Sequence, residues 1–157
     1  MKIAGIDPGV QAVGYGVLDF AGGTGEVREQ GVIRPAKGPL PARLSRIYTS
    51  LRKILEKHRP DCVAVEDLFY GKNARSLIKI GEGRGVILLA AAELGIPVAE
   101  YSPAEVKQSV TGSGRADKAQ VQQMVKAILR LKEIPRPDHT ADALAIALCH
   151  AFRRKPS

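Results

Sequence analysis

Residues 2–7 (Lys-Ile-Ala-Gly-Ile-Asp) form a short apolar run that Pro8-Gly9 cuts off, the pattern of a strand ended by a turn. A second strand is predicted over residues 12–20, punctuated by Gly22-Gly23, and a third over residues 26–34. Three strands joined by tight turns predict an antiparallel meander. Pro39 to Pro41 then opens a helix in which Leu44, Ile47, Tyr48, Leu51, Ile54 and Leu55 recur at helical spacing. Arg43, Arg46, Lys53 and Lys57 fall largely off that stripe and read as a solvated face. Pro60 ends the helix. Cys62-Val63-Ala64-Val65 is the continuous apolar run of a central parallel strand, and it stops at Glu66-Asp67.

Asn73 to Leu94 reads as a long helix containing Gly81, Gly83 and Gly85. Interior glycines weaken a helix, so close packing or a break is expected there. After Gly95-Ile96-Pro97 a strand runs from Val98 to Tyr101. Ser102-Pro103-Ala104-Glu105 is a capping box with proline at the first helical position. A glycine loop, Thr111 to Arg115, precedes a helix capped by Asp117 with Gln120, whose apolar stripe is Val121, Met124, Val125, Ile128 and Leu129. Beyond the linker Pro135-Arg136-Pro137, the final helix carries Ala141, Leu144, Ala145, Leu148 and Phe152 inward. Its end, Arg153-Arg154-Lys155, suits the negative helix terminus and reads as frayed. A meander followed by strand–helix alternation means a mixed α/β sheet.

At 157 residues the chain is expected to be one domain, with a short basic tail over about 153–157. Its 45% hydrophobic and 25% charged content is ordinary globular material. Lys and Arg number 24 against 16 Asp and Glu, a formal charge of +8 that favours a polyanionic partner. Cys62 and Cys149 lack metal-ligand spacing and read as buried thiols of a reduced compartment. No apolar run approaches the ~18 residues of a membrane span. Strand-like residues begin at the N-terminus without a secretory pattern, so the expected location is the cytoplasm.

Asp7 ends the first strand and Glu66 ends the central one. If these strands pair in parallel, both carboxylates emerge at the sheet edge where ligand sites of open α/β sheets gather. Asp138, His139 and Asp142 open the last helix, with His139 and Asp142 on one face. Together these groups would hold one or two hard divalent ions. Each also has a plain structural reading. Asp7 fits a turn, Asp138 a helix N-cap, His139 a surface residue and Asp142 a first-turn acid. Glu66 is harder to dismiss, because an acid ending an apolar strand is costly unless solvated or paired. Cations are supplied by Lys107, Arg115 and Lys118 around the glycine loop. Lys72, Arg75, Lys79 and Arg84 follow Phe69-Tyr70, where a ring beside basic residues suits DNA. Phe69 and Tyr70 read equally well as core.

Taken in order, Gly5-Ile6-Asp7-Pro8-Gly9, Gly14-Tyr15-Gly16, Ala64-Val65-Glu66-Asp67 with Phe69, Lys72-Asn73-Ala74, Gly83-Arg84-Gly85, Val106-Lys107-Gln108, Lys118-Ala119-Gln120-Val121 and Ala141-Asp142-Ala143-Leu144-Ala145 resemble the RuvC family of Holliday junction resolvases. The resemblance covers nearly the whole chain. It implies a ribonuclease H-like fold, a five-stranded mixed sheet flanked by helices. It implies a homodimer that resolves four-way DNA junctions in recombination and repair by symmetric, Mg²⁺-dependent nicking of two opposed strands. Two ions per site, 5′-phosphate and 3′-hydroxyl products, and work alongside the junction-migrating RuvA and RuvB proteins come with it. The metal positions carry over to Asp7, Glu66, His139 and Asp142. Phe69 matches the junction-contacting aromatic, Lys107 and Lys118 the basic site residues, and the helix from Asn73 the dimer-forming element. Many members have a carboxylate where this chain has His139, and imidazole favours Mn²⁺ over Mg²⁺ or serves in proton transfer.

Two other readings fit parts of the sequence. Gly5-Ile6-Asp7-Pro8-Gly9 also resembles the phosphate loop of actin-like ATPases, but those enclose a nucleotide between two lobes and this chain has room for one. A DNA-binding module without catalysis would place strand-end acids beside phosphates, which is unfavourable without metal.

Overall fold

The computed structural model describes residues 1–67 and 73–154. The expected meander is present: β1 (Lys2–Asp7) pairs antiparallel with β2 (Val13–Ala21), and β2 with β3 (Thr24–Ile33). Helix α1 (Leu40–His58) crosses over to β4 (Cys62–Glu66), which pairs parallel with β1. Helix α2 (Ala74–Glu93) leads to β5 (Val98–Tyr101), parallel to β4. Helices α3 (Pro103–Thr111), α4 (Lys118–Ile128) and α5 (Asp138–Arg153) complete the chain. The strand order is β3-β2-β1-β4-β5, a five-stranded mixed sheet of ribonuclease H-like type.

Strand residues alternate between the two faces. On one face Ile3, Leu18 and Ala64 pack with Val106, Val125, Leu144 and Leu148 of α3, α4 and α5. On the other, Ala4, Ile6, Val17, Val63 and Val65 pack with Ile47, Leu51 and Ile87 of α1 and α2. Burial on both sides explains why the β4 sequence reads as an unbroken apolar run.

Local chemistry sets the helix starts. Asn73 Oδ1 accepts from Ser76 N–H, and the Ser102–Glu105 and Asp117–Gln120 boxes are both closed. Helix α2 is unbroken, and Gly83 explains one of its glycines: a Cβ there would lie 2.6 Å from the Gly9 carbonyl oxygen.

Four expectations are corrected. Met124 is exposed, because α4 meets the sheet side through the narrower stripe of Val121, Val125 and Leu129. Phe152 is also exposed, though its ring meets Phe20 edge-on at 5.7 Å. Asp138 does not cap α5; Pro137 occupies that position, and the Asp138 carboxylate accepts from Arg136 and Gln122 instead. Arg153 is held by Glu105 at 2.8 Å rather than frayed. Cys62 and Cys149 are free and buried, as expected. Among the described residues, no helix is long and apolar enough to cross a membrane.

Candidate active site

Parallel pairing aligns Ile3 with Cys62, Gly5 with Ala64 and Ile6 with Val65. One further step of that register sets Asp7 beside Glu66 at the carboxyl ends of two adjacent central strands. Asp7 shares the face of Ile3 and Gly5, and Glu66 that of Ala64, so both carboxylates point to the α5 side.

Helix α5 lies unusually close to the sheet over glycines. A Cβ on Gly5 would sit 2.0 Å from the Ala143 carbonyl oxygen, and one on Gly14 would sit 2.1 Å from that of His139. Side-chain-free strand positions thus let the first turn of α5 descend onto the end of β1. There the imidazole Nδ1–H of His139 donates to Asp7 Oδ2 at 2.7 Å. Ligand atoms of Asp7, His139 and Asp142 all lie within 4.8 Å of one another.

Asp7, Glu66 and Asp142 line one cleft of about 240 Å³ together with Lys107 and Lys118. Lys118 Nζ lies 3.4 Å from both Asp142 and Asp138. Burial, followed by the negative charge of Asp7, pushes the Asp142 carboxyl above its usual range, while Lys118 and His139 pull it back. The hydrogen bond to Asp7 raises the His139 pKa against the opposing effect of burial. For Lys118 burial works against the ammonium, but Asp142 and Asp138 outweigh it and raise its pKa. Three carboxylates crowd this pocket, with Lys107 and Lys118 beside them, a setting that suits a cation.

The remaining candidate residues are scattered around this cleft. Lys79 lines a neighbouring pocket with His139, and Arg115 lines another with Asp117 and Met124. Arg75 is exposed on the first turn of α2. Arg84 is nearly enclosed, with its guanidinium on Glu100 and 3.6 Å from Asp67. Phe69, Tyr70 and Lys72 lie outside the described residues. Sequence reasoning missed Gly5 and Gly14 as the seats of α5; glycines at alternate strand positions facing a helix were the available signal. It also missed Arg43, whose Nη2–H donates to the Val10 carbonyl at 2.5 Å and fixes the loop after Asp7.

A family model described as crossover junction endodeoxyribonuclease RuvC matches residues 3–150. A protein of that name from Desulforamulus reducens is 51% identical over 152 residues, covering 96% of this chain and 93% of its own length. The structure of Thermus thermophilus RuvC is similar with a TM-score of 0.90 at 42% identity, over 97% of this chain and 94% of that one. A structure of the same protein in complex with Holliday junction substrate gives a TM-score of 0.92 at 42% identity, over 97% and 93% of the two chains.

Proposed function

The chain belongs to the RuvC family of crossover junction endodeoxyribonucleases, and from that premise we propose how its cleft resolves a four-way DNA junction. The activity is divalent-metal-dependent hydrolysis of two opposed strands at a Holliday junction, in recombination and repair. The observation that carries the assignment of residues is the convergence of Asp7, His139 and Asp142 within 4.8 Å, with Glu66 on the wall of the same cleft.

The donor set fits a small divalent cation. Ligands at 2.0–2.1 Å from Mg²⁺ lie about 4 Å apart across an octahedron, close to the 4.8 Å spread found here. Asp7, Glu66, His139 and Asp142 would hold one or two ions. The imidazole among them makes Mn²⁺ as acceptable as Mg²⁺. When bound, the cation supplies the positive charge that acidifies an attacking water and stabilises the phosphate during in-line displacement. The water oxygen bonds to phosphorus and the P–O3′ bond breaks, leaving a 5′-phosphate and a 3′-hydroxyl. Lys107 and Lys118 stand at the cleft to bind the scissile phosphate. Lys118 also holds Asp142 by charge, and His139 fixes the rotamer of Asp7.

Symmetric nicking needs two such clefts related by a two-fold axis. On α2, Ile78 and Leu89 are 62% and 52% exposed, and with Gly85 they share one helical face. That stripe is the proposed homodimer contact. RuvA and RuvB are proposed as partners on family membership alone. Lys79, Arg75, Arg115, Phe69, Tyr70 and Lys72 are proposed to contact DNA. Arg84 would do so only by leaving Glu100.

The test is a synthetic four-way junction incubated with Mg²⁺ or Mn²⁺, beside a linear duplex of the same sequence. Paired nicks in the junction, absent with Asp7→Asn although that variant still binds, support the reading. Undiminished cutting by Asp7→Asn, or by the unaltered protein in excess EDTA, overturns it.

A further inference from the structure

Beside the cleft lies a second, larger pocket of about 490 Å³ between the loop after β1, the end of β3 and the start of α2. His139 forms part of its wall and is bonded to Asp7 of the catalytic cleft, so the two hollows adjoin across that hydrogen bond. Arg34, Ser76 and Lys79 line it, and its lining includes no carboxylate. Both cations are exposed, and among the described residues neither makes an ion pair. The floor is rigid. Gly83 abuts the Gly9 carbonyl, and Arg43 holds the Val10 carbonyl.

We propose that Arg34, with Lys79, forms a second phosphate subsite that binds the backbone phosphate flanking the scissile one, on the His139 side of the cleft. This rests on the nuclease reading above and extends it. A strand crossing the cleft must continue past His139. Its next charged group then meets a pocket of two cations that no protein carboxylate neutralises. Lys107 and Lys118 stand in the catalytic cleft itself, so the strand would be gripped at the scissile phosphate and again beyond His139. Arginine suits this position because its planar fork donates two parallel hydrogen bonds to one phosphate.

The experiment pairs Arg34→Ala with junctions carrying a single neutral methylphosphonate at each position around the cut. Affinity is read in EDTA over a salt series, and cutting is read in Mn²⁺. Arg34→Ala is expected to bind on the order of tenfold more weakly and to lose about 0.9 from the slope of log K against log salt. Arg34→Lys keeps the slope, and neither variant shifts the thermal midpoint. One methylphosphonate next to the scissile bond should weaken binding to the unaltered protein and have no added effect with Arg34→Ala. Independent, additive losses at every position, or an unchanged slope, overturn the subsite while the junction is still cut. Failure of the unaltered protein to cut any junction overturns the nuclease reading instead. Lys53→Ala, on the exposed side of α1, is the charge-matched control and should leave affinity unchanged.

Discussion

Gly14→Ala puts the seating of α5 to the test. The added methyl carbon would lie 2.1 Å from the His139 carbonyl oxygen, 2.6 Å from its carbonyl carbon and 2.9 Å from its Cβ. Backbone on both sides of this contact leaves no flexible side chain to yield. Relief to ordinary contact distance requires the first turn of α5 to lift by about 1 Å from β2. That movement carries His139 and Asp142 together, so the 2.7 Å bond to Asp7 opens beyond hydrogen-bond range. Overpacking of this kind costs about 1–3 kcal/mol of stability. A 1 Å displacement of catalytic groups costs roughly 100-fold in rate. The assay is single-turnover cutting of a four-way junction with enzyme in excess, paired with urea denaturation and junction affinity in EDTA. Cutting should fall by about two orders of magnitude while affinity holds. Gly38→Ala is the control, since nothing lies within 4 Å of its added carbon and its backbone φ is not positive; its stability should stay within about 0.5 kcal/mol of the parent. A Gly14→Ala protein that cuts at the parent rate would refute the idea that close approach over glycine sets the site.

Ile78→Glu or Leu89→Glu should convert the protein to monomers by sedimentation velocity, and dimers that persist in both would dismiss the α2 contact. His139→Asp should raise the rate in Mg²⁺ relative to Mn²⁺; an unchanged ratio would remove His139 from the ligand set. Ser102→Ala opens the capping box of α3 and should cost about 1 kcal/mol in urea denaturation, with no loss arguing that α3 is held by packing alone. Lys57, then His58, hold the Glu29 carboxyl well below its usual range, at about 2. A depressed acid stabilises the fold above its unfolded pKa of 4.5 and loses that contribution as the pH falls toward 2. Discounted for solvent exposure, the contribution is about 1 kcal/mol. Glu29→Gln should therefore be less stable than the parent at pH 6, with the gap narrowing as the pH falls below 4.5 and through about 2, and a pH-independent gap would contradict this origin.

Much of the sheet was readable because its signals are local. The Ser102–Glu105 and Asp117–Gln120 boxes fix two helix starts within four residues each, and β4 betrays its central place by having no polar position until Glu66. The pairing of Asp7 with Glu66 followed from one topological assumption, parallel contact between β1 and β4, which the structure contains. Other features depend on partners distant in sequence. Asp138 resembles an N-cap in isolation, but Lys118 and Gln122 of α4 reach it across 20 and 16 residues. The His139–Asp7 bond spans 132 residues and exists only because Gly5 and Gly14 admit α5. Met124 fits the helical period of α4 yet lies at the edge of its stripe, where only the neighbouring helices decide burial. Arg84 shows the same dependence: its charge suggested DNA, while Glu100 on β5 takes up its guanidinium.

Anomalous diffraction from crystals soaked in Mn²⁺ examines the acidic cleft itself, independently of any DNA assay. Density for one or two ions should appear among the carboxylates of Asp7, Glu66 and Asp142 and the His139 imidazole, and should vanish in Asp7→Asn. Ions bound only elsewhere, in a protein whose crystals come from an active preparation, would contradict the assignment of these four side chains as the metal site.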